Sequence, residues 1–195
     1  MQSFEYKKAI QAINYFVRER GGSEKKLNLL KLLFLADRYH IRRYGRPIFN
    51  DVYFAMTYGP VASAVKDVIE FSDFLSEMEK EYARGFLAKG KEDNAVESIA
   101  SVDEKVFSKS DLEALRFVVE NFEDKNLVTE THRYPEWKRF EAGLITIRSR
   151  EEMKYEDFFE NPDDGLKDPF ALSDELLLSS KEMFREAEAE SVRWR

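Results

Sequence analysis

Asp37 and His40 share a face of one helical stretch, and an Asp–His pair can serve general-base chemistry. That chemistry needs a third group and a pocket, and the sequence offers neither a serine nor a cysteine placed to act as nucleophile. A structural or interface role for His40 is the simpler expectation. His132 lies in a polar stretch before Pro135 and is expected to cap a helix or meet a partner rather than hold a metal. The chain has 195 residues, two histidines and no cysteine. Thiolate chemistry and disulfides are excluded, and a histidine-based metal site is poorly supplied. The acidic loops Glu92-Asp93-Asn94 and Asp163-Asp164-Gly165 lack the ligand ladder of an EF-hand. Gly85, Gly90 and the Gly21-Gly22 pair form no phosphate-cradling motif. No cofactor and no catalytic constellation are expected, so the chain reads as a binding protein rather than an enzyme.

Recognition chemistry concentrates at residues 38–46, where Arg38, Arg42, Arg43 and Arg46 interleave with Tyr39 and Tyr44. Arginine and tyrosine combine broad contact area with directed hydrogen bonds and are enriched at protein interfaces. The same mixture can grip phosphates and stack on bases. A third alternative is that some of these arginines pair with internal carboxylates. A helix-turn-helix would require a polar recognition helix after Gly45-Arg46-Pro47, whereas the following residues suit a strand. Nucleic acid is therefore not an expected partner. Further on, Gly59 permits a backbone angle that other residues resist, and Pro60 fits the first turn of a helix. Tyr58-Gly59-Pro60 is expected to shape a corner with Tyr58 exposed beside it. Trp137, at helical spacing after Pro135, reads as a core or rim aromatic.

The elements that must position these residues follow from periodicity. Residues 4–20 form an amphipathic helix with Ala9, Ile10, Ile13, Phe16 and Val17 on one stripe and Gln11 and Asn14 opposite; Gly21-Gly22-Ser23 ends it. Residues 25–44 form a second helix, almost wholly apolar in its middle and hence central, which Gly45 and Pro47 stop. A strand over 48–57 alternates Val52, Phe54 and Met56 with Tyr53, Ala55 and Thr57, and a helix begins at Pro60. Helix is expected from about 72 to Gly90, then a strand over 95–102 with 105–107 as its candidate partner. Ser110 and Glu113 make a capping box for a helix running to Phe122. One helical turn at 127–132, a helix from Pro135 through Leu144, and a terminal helix over 173–195 with Leu176, Leu177, Phe184 and Ala187 on its stripe complete the chain. The expected fold is α+β: a mainly helical single domain with a small antiparallel sheet of two to four strands and a C-terminal helical extension. The composition break near 148 divides a domain, 1–148, from an acidic extension, 149–195.

Hydrophobic residues make up 43% and aromatics 14%, enough for a real core without staples. The longest apolar run is interrupted by Lys31 and Asp37, too soon for a membrane span, and the amino terminus has no apolar leader, so a cytoplasmic protein is expected. The net charge of −7 is unevenly placed: residues 1–50 hold 11 Lys/Arg against 4 Asp/Glu, and residues 151–195 hold 6 against 14. Basic turn and acidic tail are opposite in sign, so either is a candidate docking face.

Three motifs in this order carry a family resemblance: Leu-Ala-Asp-Arg-Tyr-His at 35–40, Tyr-Gly-Arg-Pro-Ile at 44–48, and Ala-Met-x-Tyr-Gly-Pro-Val at 55–61. A weaker fourth is Thr131-His132-x-x-Pro135-x-Trp137-Lys138. Together they resemble the Panacea (SocA-like) antitoxin domain over roughly residues 5–145. The resemblance implies a protein encoded beside a toxin gene in a bacterium or phage, neutralising that toxin by direct contact or passing it to a protease. It also implies that Gly45, Pro47, Gly59 and Pro60 shape the fold. The expected partner-binding set is Arg38, Tyr39, Arg42, Arg43, Tyr44, Arg46, Tyr58, His132 and Trp137. A transcriptional regulator binding DNA is a further alternative.

Overall fold

The structure is a computed structural model that describes residues 3–122, 126–146 and 149–193. Helix α1 (Tyr6–Glu19) buries its whole predicted stripe. It also buries Gln11 and Asn14, which were expected to face solvent, because the segment 82–103 covers them. The Gln11 amide donates to the Tyr82 hydroxyl and accepts from the Asp103 N–H, and Asn14 donates to the Ala100 carbonyl. Strand β1 (Ser23–Lys25) follows, too short and polar to be read from alternation.

Helix α2 (Lys26–Tyr44) is the hub: every residue from Leu29 to Arg42 is buried. It packs against α1, against the later helical segments 109–122, 127–131 and 174–193 and against the strand 59–62, which is what a helix with no continuous polar face requires. Gly45 closes it in the left-handed conformation, φ 64°.

The expected strand over 48–57 is confined to β2 (Tyr53–Met56), which turns through Thr57-Tyr58 into β3 (Gly59–Ala62). Pro60 does not start a helix. It stands in β3 opposite Ala55, where an edge position tolerates its missing N–H. Helix α3 (Ser63–Glu70) begins three residues later, and the Asp51 carboxylate caps it by accepting from the Ala64 and Val65 N–H groups.

The helix expected from 72 to 90 is shorter, α4 (Glu77–Arg84), opened by a Ser76–Glu79 capping box. Strand β4 (Leu87–Lys89) then pairs with β5 (Ala95–Ser98). Residues 105–107 are not the partner of β5; Glu104–Val106 form a 3₁₀ turn, and β1 takes that edge. The capping box of α5 (Lys109–Phe122) is Ser108 with Asp111, not Ser110 with Glu113. The turn α6 (Leu127–Thr131) is as expected, whereas the helix after Pro135 breaks into α7 (Pro135–Lys138) and α8 (Glu141–Thr146).

Strand β6 (Glu151–Glu152) joins β2, giving two antiparallel three-stranded sheets, β1-β5-β4 and β3-β2-β6, where a single sheet was expected. The predicted boundary adjoins residues 147–148, which lie outside the described residues. Beyond it, Phe158, Phe159, Phe170 and Phe184 enter the same core, so the acidic segment completes the domain rather than hanging from it. Helix α9 (Asp174–Arg193) closes the chain against α2; the last two residues of the predicted helix lie outside the described residues. The architecture is a single α+β domain, mainly helical, with small antiparallel sheets.

Candidate functional site

Asp37 and His40 do not form a pair. The Asp37 carboxylate accepts from the Ile48 N–H at 2.6 Å and the Tyr53 hydroxyl at 3.0 Å, which pins the chain leaving α2. Complete burial pushes it up to about 7, against the lowering effect of these donors. His40 instead bridges the turn to α5: Nδ1 meets the Arg46 carbonyl at 2.7 Å, and Nε2 lies 3.0 Å from Ser110 Oγ and 3.2 Å from Asp111 Oδ1. Burial alone would raise Asp111, but His40, the Ser108 N–H and Lys8 outweigh it and hold this carboxyl well below the usual range. Both residues are fully buried and tie the turn down.

Two of the arginines expected at a binding surface are internal. Arg38 is fully buried, paired with buried Glu136 and lying 4.1 Å over the Tyr134 ring. Arg42 is also buried and donates to the carbonyls of Phe158 and Glu160 and to Asn161 Oδ1, at 2.8, 2.9 and 2.6 Å. Burial pulls Arg42 down to about 10, which leaves it charged at neutral pH. These two guanidiniums hold residues 158–161 against α2, so neither is available to a partner. The reason is geometric: positions 38 and 42 are one helical turn apart and share the face that the returning chain covers.

Tyr39, Arg43, Tyr44 and Arg46 stay nearer the surface, yet each meets a carboxylate of α5. Glu113 accepts from the hydroxyls of Tyr39 at 2.6 Å and Tyr44 at 2.7 Å, with Arg43 at 3.7 Å. Those two hydroxyls, Tyr39 first, hold Glu113 below the ordinary carboxylate range. Arg46 stands 3.6 Å from Asp111. The basic turn is thus largely neutralised within the fold.

The remaining predicted residues form one cluster. Trp137 is buried, and its indole N–H donates to the Met56 carbonyl at 2.9 Å. His132 stacks flat on it, ring centroids 3.6 Å apart and 4° from parallel. Tyr58 is 68% exposed at the tip of the β2–β3 turn. Gly59 has φ 99°, and a Cβ there would lie 2.9 Å from Thr131 Oγ1 and 3.1 Å from Lys31 Nζ. The Thr-His-Pro-Trp stretch and the Tyr-Gly-Pro turn therefore pack on each other, although about 70 residues separate them.

Lys31 was missed. It is fully buried, donates to the Pro60 carbonyl at 2.7 Å, and burial lowers it to about 7. A lone lysine inside Leu-Asn-Leu-Leu-Lys-Leu-Leu-Phe-Leu was the available signal. Glu113 and Glu136 carried no such mark, since only the fold brings them to α2.

Among the described residues, no group of three or more His, Asp or Glu is placed to hold a metal ion, and no helix is long and apolar enough to cross a membrane. No curated protein and no solved structure matches the chain. The family model described as antitoxin SocA-like, Panacea domain, matches residues 29–138, which take in α2, the β2–β3 hairpin and the His132–Trp137 stack. With more than half of its length inside that match, the chain belongs to the SocA-like, Panacea-domain antitoxin family.

Proposed function

We propose that this chain neutralises a cognate toxin by direct, stoichiometric protein contact, without catalysis, and that its docking surface is acidic. Family membership supports an antitoxin-like role in general. The distribution of unpaired charge supports the surface. Arg38 and Arg42 are buried, and Arg43 and Arg46 face Glu113 and Asp111. On α9, by contrast, Glu186, Glu188 and Glu190 are exposed and have no ion-pair partner among the described residues. A toxin that acts on nucleic acid or nucleotides carries a basic surface for its substrate, and an acidic helix is complementary to it.

Co-expression with the neighbouring reading frame tests this. The neighbour should arrest growth alone and be harmless with this chain, and the two should co-purify in equal amounts from cells lacking ATP-dependent proteases. Rescue that disappears in those cells would assign a proteolytic adaptor instead. Arrest despite this chain would refute both.

A further inference from the structure

A cavity of about 310 Å³ opens between α9 and the edge of the β3-β2-β6 sheet. Its aromatic wall is Tyr53, Tyr155 and Phe184, with Tyr155 edge-on to Tyr53 at 5.8 Å and 6.2 Å from Phe184. A smaller recess beside it shares Tyr155, Phe184 and Glu188 and reaches the Gly45–Pro47 turn, so one groove follows this side of α9.

The charges around the cavity do not cancel. Glu156 is paired with Arg185 at 2.9 Å. Asp51 is turned inward onto the start of α3. That leaves exposed Glu152 and Glu188 against Lys154 among the lining residues. Neither Glu152 nor Glu188 has an ion-pair partner among the described residues. Aromatic faces attract cations through the ring quadrupole, and carboxylates at the rim can take a guanidinium bidentately. An apolar stem fits the wall and a cationic head fits the rim, which is the shape of a long basic side chain.

We propose that this groove receives an arginine side chain from the partner protein, with Tyr155 and Phe184 holding the stem and Glu152 and Glu188 the guanidinium. The proposal rests on the reading of the chain as a direct binder of a basic toxin surface, and it gives that surface an anchor point. Glu81 on α4 and Glu120 on α5 are also exposed and without an ion-pair partner among the described residues, and they lie outside both α9 and the groove. They supply an internal control of equal charge.

The test uses the full chain in two assays. In the first, the Kd for the neighbouring toxin is measured for wild type, for Glu152→Gln with Glu188→Gln, and for Glu81→Gln with Glu120→Gln. The groove pair should weaken binding at least about tenfold and the control pair less than about threefold, in line with an interface anchored on few residues. Equal losses, or none, would overturn the groove. In the second, N-acetyl-arginine amide is titrated into the isolated chain and followed by NMR, with the citrulline analogue as neutral isostere. The Tyr155 and Phe184 ring signals should move with arginine and not with citrulline. No shift, or the same shift with both, overturns the proposal even if the toxin binds. A neighbour that neither kills nor binds would sink the antitoxin reading, and the titration would still decide whether the groove takes a guanidinium.

Discussion

Replacing Gly45 by alanine should damage the protein in two separable ways. The first is backbone strain. Gly45 sits at φ 64°, and an L-residue in that region costs about 1–2 kcal/mol, offset by about 0.4–1 kcal/mol from a stiffer unfolded chain. The second is contact. A Cβ would lie 2.6 Å from the Ser180 carbonyl oxygen and 2.9 Å from Met183 Cβ, so α9 must move to admit it. Overpacking of that kind adds about 1–3 kcal/mol. Gly21 provides the comparison: φ 84°, with nothing within 4 Å of its would-be Cβ. Gly21→Ala should therefore show the strain alone. Urea unfolding of both variants should place Gly45→Ala about 1–3 kcal/mol below Gly21→Ala, and the melting temperatures should separate by about 2–4 °C per kcal/mol. Hydrogen exchange should also quicken across 174–193 in Gly45→Ala and not in Gly21→Ala. Equal losses, with no change in α9 exchange, would mean that α9 does not press on the turn, and the docking described for it would be wrong.

The buried Arg38–Glu136 pair should respond asymmetrically. Glu136→Leu alone strands a buried guanidinium and should cost about 3–5 kcal/mol in urea unfolding, whereas Arg38→Met with Glu136→Leu should recover most of that; a mild single variant would contradict the pairing. Stability should also vary with pH in two opposed windows. Asp37 is raised from 3.8 to about 7, so the folded state binds the extra proton and the stability it contributes is lost as pH rises between those values. Lys31 is lowered from 10.5 to about 7, so its contribution is present above 10.5 and is lost as pH falls toward 7. Each window has a limiting slope of about 1.4 kcal/mol per pH unit. Lys31→Met should flatten the upper window, and Asp37→Asn the lower, in urea titrations from pH 4 to 10. A wild-type profile indifferent to both substitutions would refute the buried, shifted states.

Where burial follows from apolar spacing along one helix, residue pattern predicted structure well. The stripe of α1 and the apolar core of α2 are of this kind, because burial there follows directly from 3.6-residue spacing. The left-handed stop at Gly45 was legible for a similar reason, since few other residues adopt that angle. The misreadings share a cause. Pro60 has the same local signature at a helix start as on an edge strand, and only its pairing with Ala55 decides. Ser108-Asp111 and Ser110-Glu113 both satisfy a capping spacing; the side chains of Tyr39 and Tyr44 claim Glu113 and leave Ser108 and Asp111 to form the cap.

The candidate site was half legible for the same physical reason. Arginine and tyrosine at 38–46 announce recognition, but spacing cannot say whether the thing recognised is a partner or the chain's own return. Here the chain returns: residues 158–161 take Arg38 and Arg42, and Glu113 takes the tyrosines. Once those groups are satisfied internally, the two central arginines of the turn no longer project outward, while the acids of α9 do. The acidic segment thus performs two tasks with different residues. Its carbonyls accept from the arginines of α2 and its phenylalanines cover that helix, while the carboxylates of α9 are left exposed.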